Sequence, residues 1–326
     1  MPLFRKYQTR GSTKYIHNWR VEKIVLDHQL RVFVTVAEKK NFSRAAEALN
    51  LTQPAISQHI HSLEEHYRVR LFDRSNKKVE LTQAGAILYS YAKKILNLHQ
   101  EAERAVTDLM ELVTGKIAVA ASMTIGEYVL PRLLGAFARK YPDVELAMTI
   151  GNTAMVFEQT LEGSIDIGLV EGPVEHAHLQ VEPFLIDEMV LIVSPEHPLA
   201  SKSQVTGEDL EPCTVILREE GSGTRIAAEN ALRQLEVTPA RTIVMGSTQA
   251  IKQAVEAGLG ISFLSKWTIR KELALGTIKP VRLKDMNITR EFKIIRNRTK
   301  FHSRACDEFA RFITAEETIA TLQARA

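Results

Sequence analysis

NFSRAAEALNLTQPAISQHIHSLEE, residues 41–65, is the stretch from which the rest of the chain is read. It divides into two short helices around a tight corner. The first is expected from about Ser43 to Leu49, with Ser43 in a capping place and Ala45, Ala46 and Leu49 as its apolar side. Asn50-Leu51-Thr52 forms the corner. The second opens with Thr52 as cap and Pro54 in the first turn, where a missing N–H is no loss. Ala55, Ile56, Ile60 and Leu63 then follow at helical spacing. Small alanines let the two helices cross closely, which is the helix-turn-helix arrangement. Gln53, Ser57, Gln58 and His61 are left on the outside, and short or amide side chains there can bond base edges or phosphates in a major groove. An ordinary helical hairpin with a polar face would carry the same residues.

Residues 68–81, just after the pair, separate these two possibilities. Arg68-Val-Arg-Leu-Phe-Asp-Arg74 and Lys77-Lys-Val-Glu-Leu81 read as two short strands around Ser75-Asn76, a wing with basic residues near its tip. Residues 27–81 together resemble the winged helix-turn-helix of LysR-type transcriptional regulators. The matching pieces are Leu30-x-x-Phe33, Ala37 with Phe42-Ser43-x-Ala45-Ala46, Leu49-x-Leu51-x-Gln53-Pro54-Ala55-x-Ser57, Leu63-Glu64, and Leu71-Phe72-x-Arg74 leading to Leu81-Thr82-x-Ala84-Gly85. The resemblance implies that Gln53, Pro54, Ser57 and Gln58 approach bases. It leaves Ser43, Arg44, Thr52, Arg74, Lys77 and Lys78 to serve phosphates or the flanking minor groove. His61 adds charge there only when protonated.

A chain of 326 residues calls for two or three domains. With 45% hydrophobic and 25% charged residues it has ordinary globular composition, and no run of about 18 apolar residues suggests a membrane span. The basic N-terminus lacks the apolar core of a secretory signal. Cys213 and Cys306 make neither a disulfide framework nor a metal site, and a reducing cytoplasm fits. Either thiol is a redox-sensitive group or a buried spectator. The net charge of +3 hides an asymmetry: residues 1–95 carry +9 and the remainder −6. A basic head on a mildly acidic body is the footprint of a polyanion-binding unit.

Residues 1–24 are basic and aperiodic, either a disordered arm or a non-native extension from an over-long translation start. A first helix is expected from about Asp27 to Lys39, inside a DNA-binding domain spanning 25–85. After the wing, Thr82 can cap a long linker helix over 86–115. There Leu88, Ile95, Ala102 and Leu109 repeat every seven residues, as do Tyr91, Leu98, Ala105 and Leu112. That pattern fits a two-stranded coiled coil or a helix lying on its own domain. The resemblance implies the former, a homodimer or homotetramer reading an interrupted palindrome.

From 116 to 326 strands and helices alternate, and a βαβαβ order occurs twice. Gly151-Asn-Thr153 corresponds to Gly246-Ser-Thr248, and the strand at Ile165–Val170 to that at Gly260–Leu264. The duplication implies two similar lobes. Lobe I is expected at about 116–188 and 267–326, and lobe II at about 189–266. The fold class is thus an all-α winged helix-turn-helix with a long linker helix, followed by an α/β two-lobed effector domain like periplasmic binding proteins.

In such lobes the strand ends and helix N-termini face the cleft. Four corners there carry hydroxyls or glycines: Ala121-Ser-Met-Thr124, Gly151-Asn-Thr153, Glu219 to Arg225, and Gly246-Ser-Thr248. Free amides and hydroxyls at helix starts suit a small anion, and each corner alone is also a good helix cap. The effector candidates are Ser122, Met123, Thr124, Thr153, Arg218, Ser222, Thr224, Ser247 and Thr248. Arg218 can counter a carboxylate or simply pair with Glu219. Glu171 and Gly172 are weaker candidates.

No nucleophile elbow, phosphate loop or metal-ligand spacing appears, so neither an enzyme nor a resident cofactor is expected. A small-molecule co-inducer, an anion by these corners, is expected instead, with double-stranded DNA and RNA polymerase as partners. Two rivals stand beside this reading. A transport-type solute-binding protein would need an export signal. A cytoplasmic two-lobe enzyme or binding protein without a DNA role would leave the basic head and heptad helix unexplained.

Overall fold

The computed structural model describes residues 27–73, 79–107 and 113–324, and the chain divides into two compact units, 1–103 and 104–326. The expected arm at 1–24 lies outside the described residues.

The first unit is helical apart from the wing. Helix α1 (27–39) is followed by α2 (Phe42–Leu49), α3 (Gln53–Tyr67), β1 (Phe72–Asp73), β2 (Glu80–Leu81) and the long α4 (Gln83–Thr107). The cap of α2 is Asn41, not Ser43: its backbone is extended and its Oδ1 accepts from the amides of Ser43 and Arg44 at 2.9 and 3.0 Å. Ser43 therefore lies inside the first turn. Asn50 closes the helix in the left-handed region (φ 53°), which asparagine tolerates better than most residues. Thr52 caps α3 with its Oγ1 on the Ala55 amide, and Pro54 occupies the first turn.

Leu30, Phe33, Val36, Ala45, Ile56, Ile60, Leu63, Leu71 and Phe72 fill one core. Phe72 lies 5.3 Å from Phe33 and 5.9 Å from Phe42, ring centre to ring centre. Glu64 ties the wing to α3, because its Oε1 accepts from the amides of Leu71 (2.8 Å) and Phe72 (3.3 Å). The strands pair antiparallel, Phe72 opposite Leu81. Thr82 caps α4 through the Gly85 amide at 3.0 Å. Gly85 has no room for a side chain: a Cβ would stand 2.1 Å from the Leu71 carbonyl oxygen.

Along α4, Ala84, Leu88, Ala92 and Leu96 pack on this core. Ile87, Tyr91, Ile95 and Leu98 remain exposed on another face. Leu88, expected in the exposed heptad stripe, is thus claimed by the head, and Ile87 stands in the stripe instead. Leu109 and Leu112 lie outside the described residues.

The second unit repeats one motif twice. Its first pass is β3 (Gly115–Ser122), a π turn at Ile125–Val129 leading into α5 (Leu130–Lys140), β4 (Val144–Gly151), α6 (Thr153–Leu161) and β5 (Ile167–Glu171). The long β6 (Leu179–Val193) crosses over, and α7 (Gly207–Leu210) comes next. The second pass is β7 (Thr214–Arg218), α8 (Gly223–Gln234), β8 (Arg241–Met245), α9 (Thr248–Glu256) and β9 (Ser262–Ser265). Then come α10 (Arg270–Leu275), β10 (Lys279–Val281), β11 (Ile288–Asn297), α11 (Arg304–Thr314) and α12 (Glu316–Ala324). Strands β3, β4 and β5 are parallel, as are β7 and β8. Parallel strands are covered on both faces, which is why β3 and β5 carry near-continuous buried apolar runs.

The two lobes share the antiparallel pair β6 and β11, whose register runs from Ile288 opposite Met189 to Asn297 opposite Leu179. Lobe I packs Ile117, Val119, Val129, Leu133, Phe137, Ile167, Phe292 and Phe309. Lobe II packs Leu191, Val215, Leu217, Leu232, Ile261 and Phe263 on one side and Ile192, Ile216, Ile251 and Leu264 on the other. Ile269 and Ile278 belong to the latter core, and Val281, Leu283 and Ile288 to the former. The chain therefore returns to lobe I along β11, later than the expected residue 267. The apolar side chains after Trp267 are consumed by lobe II, while Trp267 itself packs with lobe I.

Candidate functional site

The outward face of α3 starts at its N-terminus, set by the Thr52 cap. Gln53, Pro54, Gln58 and His61 are exposed and Ser57 is half-buried. Gln53 Nε2 donates to Ser57 Oγ at 3.1 Å, so a base edge would have to replace one solvent-facing side-chain bond, a small loss. The opposite face is fully committed: Ile56, Ile60 and Leu63 have no exposure. Ser43, Arg44 and Thr52 are exposed beside this helix. His61 Nε2 lies 3.3 Å from Glu65 Oε1, which offsets its charge when it is protonated. Arg74, Lys77 and Lys78 lie outside the described residues.

In the second unit, three of the four corners named from sequence meet where the lobes face each other. Ser122 ends β3, Thr153 starts α6 and Thr224 lies in the first turn of α8, all nearly fully buried. They converge on Glu171 at the end of β5, itself 1% exposed. Ser122 Oγ donates to Glu171 Oε2, Thr224 Oγ1 donates to Oε1 at 3.4 Å, and Thr153 Oγ1 donates to the Glu171 carbonyl at 3.0 Å. Thr124 Oγ1 lies 3.5 Å from Thr224 Oγ1.

Arg290 on β11 completes this group. Its Nε donates to Asp187 Oδ2 at 2.8 Å, Nη1 to Thr224 Oγ1 at 3.1 Å and Nη2 to Thr124 Oγ1 at 3.4 Å, with Glu171 Oε1 3.8 Å from Nη1. Ser265 Oγ donates to the other Asp187 oxygen at 2.6 Å. Asp187 has no exposed side-chain surface. Burial pushes its carboxyl above the usual range, against the pull of Arg290 and Ser265. One guanidinium thus serves two buried carboxylates. The lobes also join at two backbone carbonyls: the Ala154 amide donates to that of Gly221 at 3.1 Å and the Asn152 side-chain Nδ2 to that of Glu220 at 3.4 Å. Gly223 permits the approach, since a Cβ would stand 2.0 Å from the Glu171 carbonyl oxygen. A cavity of about 320 Å³ adjoins the cluster, lined in part by Gly172, Pro173, Gly223, Asn230, Thr289 and Arg290.

The remaining sequence candidates form a second group or act as caps. Arg218 is buried and makes a two-point pair with Glu219, at 2.7 and 2.6 Å, and donates to Thr248 Oγ1 at 3.0 Å. Its carboxylate partner is thus its own neighbour. Ser247 caps α9 through the Ala250 amide at 3.4 Å, Ser222 is buried at the start of α8, and Met123 is half-buried. Asp187, Ser265 and Arg290 escaped the sequence reading, and Glu171 ranked low in it. The available signal was weak: Asp187 beside Glu188 between apolar residues in Phe184-Leu-Ile-Asp-Glu-Met-Val, and Arg290 beside Glu291 in Ile288-Thr-Arg-Glu-Phe.

Among the described residues, no group of three or more His, Cys, Asp or Glu could hold a metal ion, and no helix is long and apolar enough to cross a membrane. Both cysteines are buried, and burial pushes the Cys306 thiol up to about 12. At that value the thiolate, the reactive form, is scarce at neutral pH.

A winged helix-turn-helix joined to a two-lobed ligand-binding domain defines a DNA-binding, effector-responsive regulator. The chain belongs to the LysR family of bacterial transcriptional regulators. The family model for the bacterial regulatory helix-turn-helix protein, lysR family, matches residues 28–86, and that for the LysR substrate binding domain matches 111–317. The HTH-type transcriptional regulator CysL of Bacillus subtilis is 37% identical over 266 residues, covering 82% of this chain and 89% of that protein. A probable RuBisCO transcriptional regulator of Phaeodactylum tricornutum is 38% identical over 288 residues, covering 86% and 94%. These relatives are transcriptional regulators, not enzymes. Among solved structures, the regulatory domain of CcmR from Synechocystis PCC6803 in complex with 2-PG is 32% identical with a TM-score of 0.56, covering 62% of this chain and 96% of that one. Full-length CbnR complexed with its target DNA shares the fold at 22% identity and a TM-score of 0.66, covering 88% and 98%.

Proposed function

We propose that the protein binds an interrupted palindromic operator as a homodimer or homotetramer and adjusts transcription in response to a small anion held between the lobes. Gln53, Pro54, Ser57 and Gln58 read base edges. Ser43, Arg44, Thr52, His61, Arg74, Lys77 and Lys78 serve the backbone. The exposed stripe Ile87, Tyr91, Ile95 and Leu98 of α4 pairs with its copy in a second chain, because an isolated helix cannot bury such a stripe. Two heads on one duplex then match two half-sites. The protein acts in the cytoplasm, contacts RNA polymerase and has no catalytic activity of its own.

Effector recognition falls to Ser122, Met123, Thr124, Thr153, Ser222 and Thr224 at the lobe junction, with Arg218, Ser247 and Thr248 in the adjoining second group. The observation that carries this reading is the convergence of hydroxyls from both lobes on one buried carboxylate. Donors that hold an anionic oxygen from the chain itself can hold one from a ligand. The 2-PG bound by the CcmR regulatory domain supports an anion. Effector binding shifts a pre-existing equilibrium of lobe closure and so changes the pose of the heads on DNA. A thermal-shift screen of the full chain against small organic and inorganic anions tests this: one or more raise the melting temperature. A rise only with neutral or cationic metabolites refutes the anion assignment.

A further inference from the structure

Resting on the anion reading, we infer that Glu171 is an internal occupant of the effector site, and that an anionic effector binds by displacing its carboxylate from Ser122 and Thr224. The donors a ligand would use are already filled. Ser122 and Thr224, from opposite lobes, each donate to one oxygen of the Glu171 carboxylate. Arg290, the cation of the cluster, reaches Glu171 at 3.8 Å and is engaged by Asp187 at 2.8 Å. The amide of Ala154 at the start of α6, suited to an anion by the helix dipole, holds the Gly221 carbonyl instead.

Charge counting excludes simple addition of a ligand. Glu171, Asp187 and Arg290 are 1%, 0% and 5% exposed at their side chains. Together they carry two negative charges against one positive. An anion added about 4 Å from an undisplaced Glu171 would bind roughly a thousandfold more weakly, at the screening usual near a protein surface. Asp187 cannot yield, because it is held between Arg290 and Ser265. Glu171 can: two hydroxyls and a longer contact of 3.8 Å to Arg290 hold its carboxylate, and Gly172 beside it lines the neighbouring cavity. Displacement exchanges one carboxylate for another anion and leaves the charge balance of the donors intact. Glu171 thereby sets a threshold that weakly held anions fail to cross.

The test is calorimetric titration of the full-length protein with 2-PG and with inorganic phosphate. Glu171→Gln, which keeps shape and one acceptor, is compared with wild type and with Glu145→Gln, an exposed strand position that loses the same charge. At least about tenfold tighter binding to Glu171→Gln, with Glu145→Gln unchanged, is expected. Equal affinity of wild type and Glu171→Gln overturns the displacement while leaving an anion site in place. Binding of neither anion to any of the three chains overturns the inference together with the reading beneath it. A crystal structure of the wild-type chain with 2-PG reads the same point without substitution. The Glu171 carboxylate should have left Ser122 and Thr224, and its retention on both beside the bound anion refutes the inference.

Discussion

Replacing Arg290 by Met removes the cation that two buried carboxylates share, while keeping a long apolar stem in the space. Asp187 then faces Ser265 alone, with no exposed surface through which water could compensate. Breaking a buried pair by deleting one partner costs about 3–5 kcal/mol. For a unit of this size that lowers the effector-domain melting temperature by roughly 6–20 °C. The pH dependence identifies the cause. Burial already holds the Asp187 carboxyl above its ordinary value, and losing Arg290 raises it further. With a folded-state pKa above the unfolded one, the native state binds the extra proton. The variant's deficit against wild type is therefore small below the unfolded carboxyl value, near 4. It grows as pH rises towards the folded value. Differential scanning calorimetry of both chains from pH 4.5 to 8 measures this, and Arg290→Met combined with Asp187→Asn should recover most of the loss. A deficit that is flat across this range, or unrelieved by the second substitution, would refute the account of the network.

Gln53→Ala should weaken operator binding by about 1–3 kcal/mol while binding to random DNA persists; equal loss on both in an anisotropy titration removes Gln53 from base reading. Thr124→Val should weaken binding of the effector without unfolding the protein, because it replaces one hydroxyl by a methyl of similar volume, and unchanged calorimetric affinity rejects that position. Leu98→Glu, on the exposed stripe of α4, should shift the protein from dimer or tetramer towards monomer in analytical ultracentrifugation, and an unaltered assembly would place the pairing surface elsewhere.

The head was legible because its determinants are local. The Ala45, Ala46, Ile56, Ile60 and Leu63 pattern and the Asn50-to-Thr52 corner lie within about twenty residues, and all five side chains enter the core. Even there the sequence does not single out the cap, since Asn41 and Ser43 are both capping types and only backbone geometry chooses Asn41. The lobe junction was half legible. Ser122, Thr153 and Thr224 sit at strand-to-helix corners that the duplicated pattern marks. The charges among them were not, because Asp187 and Arg290 lie 103 residues apart and meet only through the register of β6 with β11. The same long pairing hid where the chain re-enters lobe I, as residues 269–288 show no duplicated pattern to mark their side.

In the proposed function a base-reading head and an anion-sensing pair of lobes act within one molecule. Selection of duplexes from a random pool by the full-length protein, at physiological salt and with and without 2-PG, tests it most directly. An inverted repeat whose half-sites lie about one helical turn or a multiple apart is expected, with its enrichment or spacing altered by the anion. A pool that stays random under both conditions would contradict it.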